Sequence, residues 1–501
     1  MTILLLVVIG VPALGALALA LAPRVGDQLA AEWGVLVSAG ALAGTVVLAL
    51  GFDRGDSGRM QFVTDVSWIA PINVRGHFGI DGISLPLLLL TALLSVLCFV
   101  SLLRNAPSCG GTRGLVVLLL LLETGVLGTF SALDLVLFFV FFETVLIPMW
   151  WVIADWGDPH DMPGNRRAAT VFLLMTVTGS AVMLVGFLLV YAHTGTFDMV
   201  ALAQRGGAGI PAVTQLVAAL AIGLGLAVKT PMWPLHIWLP DAHAKAPTVG
   251  SVLLAGVLLK MGTYGFVRIW LPTVPDGVER LAPYLGAFGA IAVVYGALAC
   301  LAQTDLKRLI AYSSVGHMGF VLLGISTLTT AGINGALFAN VAHGLITGLL
   351  FFCVGGLKDR AGSSDFADLG RGLYERTPRL AGVVAFACVA SLGLPGLAGF
   401  WGEMLSMLGA FDPGGALARG AFVTFMAVAG AGTILTAAYF LGLLRRLGQG
   451  LPSGPDLDDI RVDEVLTWSP LVALTVVFGL APGLVLGLTN PAVQVLMGGG
   501  G

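Results

Sequence analysis

Charge is scarce in this sequence. Only 11% of its 501 residues are Asp, Glu, Lys or Arg, whereas 57% are apolar, and the mean hydropathy is +0.95. Roughly a quarter of the residues of a soluble globular protein are charged, so we expect this chain to fold in a lipid bilayer. The net charge is −3, and no basic block is long enough to follow a phosphate backbone. Nucleic acid is therefore excluded as an expected partner.

Cysteine is also scarce, and its positions do not form metal-binding motifs. The five cysteines are scattered and include no C-x-x-C pair, so neither an iron–sulfur nor a zinc site is predicted. The chain has no Walker loop and no G-x-G-x-x-G between a strand and a helix. We expect no cofactor and no metal in this chain, and any redox chemistry must take place in other subunits.

What the chain does contain is long apolar runs. Runs of roughly 20 residues are long enough to span a bilayer, and the first of them lacks the basic start of a signal peptide. The sequence thus predicts an all-α polytopic membrane protein of about fourteen transmembrane helices. These lie near residues 3–22, 33–52, 80–103, 114–131, 133–153, 168–192, 213–240, 248–271, 281–302, 306–326, 332–356, 380–411, 418–444 and 464–488.

Two of these spans are longer and carry internal proline. The span 213–240 contains Pro231 and Pro234, and the span 380–411 contains GLPGLAG around Pro395. Proline interrupts the hydrogen bonds of a helix, so both spans are interpreted as broken helices. The alternative is that each break is only a packing kink.

Basic residues predict the orientation. If the amino terminus faces outward, sixteen Lys and Arg residues fall in cytoplasmic loops and six in external loops. The positive-inside rule then places both termini on the periplasmic side of a bacterial inner membrane. The loop from Lys358 to Arg379 is expected to be cytoplasmic.

An internal repeat is also indicated. Glu143 and His317 are 174 residues apart, as are Lys229 and Glu403. Five helices per unit would insert the second unit upside down, as in the inverted repeats of transporters. We therefore predict three N-terminal helices in 1–110, one five-helix repeat in 114–271, an inverted second repeat in 281–444, and a final helix in 464–488.

Ionisable side chains inside the predicted spans are the candidate functional residues. Each costs about 3 kcal/mol or more near the bilayer centre, so each indicates a function by default. Only five lysines occur in the chain, and two of them fall at membrane centres. Histidine titrates near neutral pH and can take up a proton on one ring nitrogen and release one from the other. The candidates are Glu123, Glu143, Lys229, Lys260, Glu403, His236, His243, His317 and His343.

Two alternatives remain for these residues. They can be ion pairs that only hold helices together, and a single histidine can be a satisfied polar group. A row of ionisable side chains that extends over at least five helices favours proton conduction instead. The predicted breaks support it, since Lys229 falls where a half-helix ends and Glu403 lies just after a helix restarts, where the helix dipoles favour each charge.

Three segments resemble a known family. LAVKTPMWPLHIWLPDAHAKAPTVGSVLLAGVLLKMGTYGFVR, DLVLFFVFFETVLIPMW and TDLKRLIAYSSVGHMGF are similar to the antiporter-like subunits of respiratory complex I, and the resemblance spans the whole chain. Within that family the chain is most similar to the subunit M branch, because GLPGLAGFWGE ends in Glu403 where the paralogues usually have lysine.

The resemblance implies roles and partners. Glu143 and Lys229 would be a coupled pair, Lys260 a central bridge and Glu403 the exit group, with the four histidines lining a hydrated axis. FMN, iron–sulfur clusters and quinone would be held by partner subunits of an NADH:quinone oxidoreductase, with antiporter-like subunits L and N on either side. Lys245 stands where many relatives have a neutral polar residue, and its role stays open.

Other classes share parts of these motifs. A subunit of a Mrp-type cation/proton antiporter, a subunit of a membrane-bound hydrogenase and a purely structural scaffold are the alternatives, and Glu403 argues only moderately against the Mrp type.

Overall fold

The computed structural model describes residues 1–22, 25–107 and 109–498, and it is predominantly helical. Within these residues, 13 helices are long and apolar enough to span a membrane. The helices of the first part of the chain are α1 (Thr2–Leu21), α2 (Asp27–Leu50), α3 (Ser84–Leu102), α4 (Thr112–Ser131), α5 (Leu135–Thr144), α6 (Leu146–Trp156), α7 (Met162–Thr194), α8 (Met199–Arg205), α9 (Ala212–Lys229), α10 (Leu239–Lys245), α11 (Thr248–Leu253), α12 (Leu259–Gly265) and α13 (Leu271–Thr273).

The second part of the chain is also predominantly helical. Its helices are α14 (Pro275–Leu301), α15 (Leu306–Ser326), α16 (Thr330–Ala361), α17 (Phe366–Leu369), α18 (Leu373–Arg376), α19 (Pro378–Ser391), α20 (Ala398–Phe411), α21 (Arg419–Gly448), α22 (Val462–Leu480) and α23 (Gly483–Leu496). The all-α membrane class predicted from the sequence is confirmed. The final predicted span, 464–488, corresponds to α22, and α23 follows it.

Both broken helices are confirmed. In the first, α9 ends at Lys229 and regular helix resumes only with α10. In the second, two helices of 14 residues, α19 and α20, replace one long span. Pro395 lies in the non-helical segment between them. Proline has no backbone N–H, but at this position no helical hydrogen bond is lost.

Two features were not predicted from the sequence. Strands β1 (Gln61–Ile69) and β2 (Val74–Ile80) form an antiparallel hairpin between the second and third predicted spans. The membrane helix Thr248–Thr273 contains two π-helical segments, Leu254–Leu258 and Phe266–Trp270. Such segments occur mostly as single turns, often at functional sites.

The two ends of the bundle can be distinguished by their residues. At one end, here called the Lys358 face, Arg360 pairs with Glu464 and Arg461 donates to Asn105. Helix α3 runs from the β hairpin to the residues just before Asn105. The hairpin therefore lies at the opposite end, here called the hairpin face.

The core of the bundle is formed by three helices. The helix Thr248–Thr273 is 100% buried over its most apolar window, and α16 and α15 are 94% and 89% buried, whereas α21 is only 22% buried. The three enclosed helices carry Lys260, His343 and His317 respectively. Protein, not lipid, surrounds these ionisable side chains.

Candidate functional site

Lys229 is the last residue of α9, where the first broken helix ends. Its side chain is fully buried, and its ammonium lies 4.8 Å from the centre of the Phe142 ring on α5. None of the described residues accepts a hydrogen bond from this ammonium. The aromatic face and the carboxyl end of α9 favour the cation, but no direct partner holds its proton.

Glu143 lies next to Phe142 on α5 and is partly buried. Its carboxylate interacts electrostatically with Lys229 and is adjacent to the Ser180 hydroxyl on α7. Its Oε1 is buried and makes no hydrogen bond to any described residue. The predicted pair is thus close enough for the two charges to interact, and it is not locked by a hydrogen bond between them.

Lys260 lies on α12, between the two π-helical segments. Its side chain is completely buried. The ammonium donates to the carbonyl oxygen of Ala255, within the first π-helical segment, and lies 2.7 Å from Nδ1 of His343 on α16. The wider π turn makes a backbone acceptor available to this lysine.

Beyond His343 the contacts continue to the second broken helix. The rings of His343 and His317 are 5.5 Å apart between their centres. His317 Nε2 lies 2.9 Å from the Ser391 hydroxyl at the end of α19, and His317 Nδ1 lies 3.4 Å from Glu403 Oε1 on α20. Lys260, His343, His317 and Glu403 therefore form one continuous series, here called the buried row.

A small cavity lies at the end of the buried row. Its volume is about 20 Å³, and its wall includes His317, His343, Ser391 and Glu403. A site of this size and polarity can hold a single water molecule. Gly393, with φ +71°, lies directly against the carboxylate, since a Cβ there would be 2.8 Å from Glu403 Oε2. The break between α19 and α20 thus makes room for the carboxylate.

The two remaining histidines occupy different places. His243 is fully buried beside Lys260 and Lys307, and its ring stacks on Phe351 at 4.6 Å. Neither of its ring nitrogens has a hydrogen-bond partner in the described part of the chain. His236 instead packs against the rings of Tyr295 and Tyr312 and is not part of the buried row. His236 lies in the non-helical segment after Lys229 and His243 lies on α10, so the two side chains point in different directions.

Glu123 is buried on α4 and lies apart from the other candidates. It accepts a hydrogen bond of 3.0 Å from Ser38 on α2. Among the described residues it has no ion-pair or hydrogen-bond contact with any of the other eight candidates. The structure therefore brings Lys260, His343, His317 and Glu403 together, and it places Glu143 with Lys229 as a separate pair. His243 interacts with the charge of Lys260, whereas His236 and Glu123 lie outside the buried row.

Sequence reasoning did not identify three residues of this region. The Ser391 hydroxyl forms a hydrogen bond with His317. Asn340 accepts a hydrogen bond from Thr263, which lies one helical turn after Lys260. Lys307 is fully buried, and its charge acts on His243. Lys307 stands in the quoted segment TDLKRLIAYSSVGHMGF, in the first helical turn after a loop. It is the second residue of the predicted span 306–326, and it was not among the candidates because a span boundary is uncertain by a few residues.

Lys245 lies at the surface of the Lys358 face. Its ammonium is 2.5 Å from the Asp161 carboxylate, and its hydrogen bond keeps the pKa of Asp161 below its ordinary value. It contacts none of the residues of the buried row.

Metal ligation is not indicated by the geometry. The described residues contain no group of three His, Cys, Asp or Glu side chains that could hold a metal ion. The five cysteines are free thiols.

The fold and the buried row together define a class: a polytopic membrane protein with charged groups in its core and two broken helices beside them. A family model described as the transmembrane part of NADH:quinone oxidoreductase and Mrp antiporters matches residues 132–429. The chain belongs to this family of antiporter-like membrane subunits.

The relatives narrow the assignment to one subunit. NADH-quinone oxidoreductase subunit M of Rhodobacter capsulatus is 41% identical over 469 residues, 90% of this chain and 87% of that protein. NADH-ubiquinone oxidoreductase chain 4 of Arabidopsis thaliana is 36% identical and covers 97% of this chain and 95% of that one.

Solved structures agree with this fold. A chain of respiratory complex I from Thermus thermophilus with bound NADH has a TM-score of 0.86 and 28% identity, covering 99% of this chain and 100% of that chain. A chain of the Mrp complex from a Dietzia species also has a TM-score of 0.86, at 22% identity over 99% of this chain and 97% of that chain. The second likeness concerns the fold alone.

Proposed function

We propose that this chain is a proton-translocating, antiporter-like membrane subunit of an NADH:quinone oxidoreductase, and that the buried row carries the protons. The observation that supports this most directly is the contact series from Lys260 through His343 and His317 to Glu403. An ammonium, two imidazoles and a carboxylate can each gain and lose a proton. A purely structural ion pair would need one acid and one base, not a series across four helices.

The proposed mechanism is electrostatic. When a neighbouring subunit changes its charge, Glu143 strengthens or weakens its hold on Lys229, and the change in field favours or disfavours the proton on Lys260. Lys260 passes a proton to His343, His343 passes a proton to His317, and His317 passes a proton to Glu403, from which it leaves toward the opposite side. Each proton expelled against the membrane potential costs about 2.3 kcal/mol per 100 mV.

The energy for this work comes from elsewhere in the assembly. We propose that FMN, iron–sulfur clusters and quinone are bound by partner subunits, and that subunits L and N flank this chain. The described residues offer no metal-ligand group, and the relatives are named as subunits of NADH-quinone oxidoreductases. The chain itself supplies the path and its charges.

The location and internal symmetry are also part of the proposal. We place the chain in a bacterial inner membrane with both termini on the periplasmic side, so the Lys358 face is cytoplasmic. Residues 114–271 and 281–444 are proposed as inverted repeats. The equal spacing of Glu143 from His317 and of Lys229 from Glu403 supports this, as does one broken helix in each half.

A Mrp-type antiporter subunit is the second candidate, since the Dietzia chain matches the fold equally well. Copurification separates the two functions. NADH oxidation by a large detergent-solubilised assembly supports the oxidoreductase, whereas sodium efflux without flavin or iron–sulfur partners supports the antiporter.

Replacement of Lys229 tests the proposal. Lys229→Ala should abolish proton translocation by the assembled complex in inverted membrane vesicles, because Glu143 then has no ammonium to control. Native gels should show the complex assembled. Lys245→Ala is the matched control, because it removes a lysine that pairs with Asp161 at the surface, and translocation should continue. Normal translocation by Lys229→Ala would refute the proposal.

A further inference from the structure

A second set of polar groups lies between Lys260 and the hairpin face, outside the buried row. The helix Thr248–Thr273 begins against Gly355, near the Lys358 face. It ends near the hairpin face, where Arg268 pairs with Asp81 directly after strand β2. Lys260 lies at the middle of this helix. The side chains that follow Lys260 therefore lie on the direct line from the centre of the bundle to the hairpin face.

Polar side chains continue past Lys260 in this direction. One helical turn further on, the Thr263 hydroxyl donates a hydrogen bond of 3.0 Å to Oδ1 of Asn340, which lies on α16 one turn before His343. Thr263 and Asn340 are fully buried, and Nδ2 of Asn340 makes no hydrogen bond to any described residue. A buried amide without a protein partner attracts water. A row that delivers its protons to Glu403 therefore needs a barrier on this direct line.

Tyr264 and Arg268 are placed to form that barrier. With Lys260 they follow one another at intervals of four residues, which places them along one face of the helix. At 1.5 Å per residue, Arg268 lies about 12 Å beyond Lys260. Arg268 Nε donates to the Tyr264 hydroxyl at 3.2 Å, and this hydroxyl donates to the carbonyl oxygen of Phe130 on α4 at 3.2 Å. The rings of Phe130 and Tyr264 also meet edge to face, 5.2 Å apart between their centres.

Asp81 fixes the guanidinium from its other side. Nη2 of Arg268 lies 2.5 Å from Oδ1 of Asp81. The same carboxylate oxygen accepts hydrogen bonds of 3.0 Å from the backbone N–H groups of Ile83 and Ser84, where α3 begins. Arg268 is 6% exposed and Asp81 is 2% exposed. The ion pair is thus buried and anchored to the backbone beside the hairpin.

A chain of hydrogen bonds with this composition does not pass protons. The guanidinium has five donors and no acceptor, and it does not release a proton at physiological pH. The backbone carbonyl at the other end of the chain accepts a hydrogen bond but has no proton to give. Both ends are therefore closed to transfer. Arginine side chains also act as electrostatic barriers to protons in membrane pores.

We propose that Arg268, Asp81 and Tyr264 form a proton-tight plug, which closes the direct line from Lys260 to the hairpin face. The inference rests on the proposed function. The plug carries no proton itself. It leaves the buried row as the route by which a proton on Lys260 continues, and so it couples proton release to Glu403.

Arg268→His is the sharpest test, because an imidazole takes up a proton on one ring nitrogen and releases one from the other. The purified complex is reconstituted into liposomes, and the membrane potential is clamped with potassium and valinomycin. The decay of an imposed pH difference is then followed without NADH. We expect this decay to be several-fold faster with Arg268→His than with the unsubstituted complex. When NADH is added, its oxidation should continue while the number of protons translocated per NADH falls.

Arg360→His is the matched control. Arg360 is also a buried arginine, paired with Glu464 at 2.6 Å, but it lies at the Lys358 face. Both substitutions weaken a buried ion pair, so both should lower the thermal midpoint of the complex. Only Arg268→His should make the liposomes leak protons. Equal decay rates for the two variants would mean that Arg268 and Asp81 form a structural ion pair only, and would overturn the inference.

A paired replacement keeps the inference testable if Arg268→His does not assemble. Arg268→Ala combined with Asp81→Ala removes both charges, so neither is left unpaired, as it would be after a single replacement. The backbone N–H groups of Ile83 and Ser84 lose their acceptor and face a new cavity, in which water finds hydrogen-bond partners. These liposomes should also leak several-fold faster. An assembled double variant as tight as the unsubstituted complex would contradict the plug.

The two proposals fail differently. If Lys229→Ala abolishes translocation and the Arg268 variants stay proton-tight, the plug is wrong and the proposed function stands. If Lys229→Ala translocates normally, the proposed function itself is wrong.

Discussion

At the scale of the residue, two buried cations in one helix show the difference between a structural and a functional charge. Arg268 is neutralised by Asp81 at 2.5 Å, and its Nε donates to the Tyr264 hydroxyl. Lys260, eight residues earlier, has an imidazole and a carbonyl oxygen as partners, and no carboxylate among the described residues forms an ion pair with it. A buried lysine without a counter-ion exchanges its proton readily.

Removal of the counter-ion of Arg268 should be costly. Asp81→Ala leaves a buried guanidinium unpaired and should lower the free energy of unfolding by about 3–5 kcal/mol, measured as a lower thermal midpoint of the detergent-solubilised complex. Asp56→Ala is the control, since its partner Arg59 is 80% exposed and such surface pairs contribute about 0–1 kcal/mol. Equal midpoints for the two variants would show that the Asp81–Arg268 pair does not hold the structure.

At the scale of the element, the position of Glu403 depends on how closely α20 packs on α16. Gly402 precedes Glu403, and a Cβ at Gly402 would lie 2.6 Å from Cβ of Ala339 on α16. Small residues at such crossings allow membrane helices to approach closely. The distance between the carboxylate and His317 is therefore set partly by a glycine.

Gly402→Ala should force α20 away from α16. Overpacking of this kind costs about 1–3 kcal/mol, so the thermal midpoint of the complex should fall and proton translocation should fall with it. Gly430→Ala in α21, where an added Cβ meets nothing within 4 Å, should leave both unchanged. A Gly402→Ala complex as stable as the Gly430→Ala complex would contradict this account of the packing.

The sequence predicted some of these elements well and others not at all. Clustered prolines and glycines disfavour a continuous helix, so the breaks near Lys229 and Glu403 were visible as Pro231, Pro234 and the GLPGLAG segment. The π-helical segments beside Lys260 were not, because their residues, LAGVL and FVRIW, are compatible with an ordinary α-helix.

The residues of the candidate site were also predictable only in part. Ionisable residues in apolar runs identified the four members of the buried row, since burial of charge is visible in a single sequence. The order of His343 and His317 within the row was not visible, because these residues lie on neighbouring helices and meet only through packing. Lys307 was missed because its burial results from the loops and helix ends around it, and His236 points away because the chain after α9 is not helical.

At the scale of the whole molecule, the chain has two faces joined by a polar interior. The hairpin face carries the β hairpin, whose first strand is largely exposed, and the Lys358 face carries a cavity of about 680 Å³. The buried row lies in the enclosed helices between them. Directional transport requires that these two faces are exposed to different compartments.

Thiol labelling tests the orientation. In a Cys109→Ser background, Ser67→Cys on the hairpin should react with a membrane-impermeant reagent in intact cells. Ala367→Cys, in the short helix α17 of the Lys358 face, should react only in inverted vesicles. Both positions are exposed. The reverse pattern would place the Lys358 face outside and reverse the proposed direction of transport.

The most direct test of the account concerns the last member of the buried row. Glu403→Gln keeps the size and polarity of the side chain but can no longer take up and release a proton, whereas Glu279→Gln makes the same change at an exposed position. The number of protons translocated per NADH oxidised should be measured in inverted vesicles containing each assembled complex. We predict a lower ratio for Glu403→Gln and a normal ratio for Glu279→Gln, and an unchanged ratio for Glu403→Gln would contradict proton transfer through the buried row.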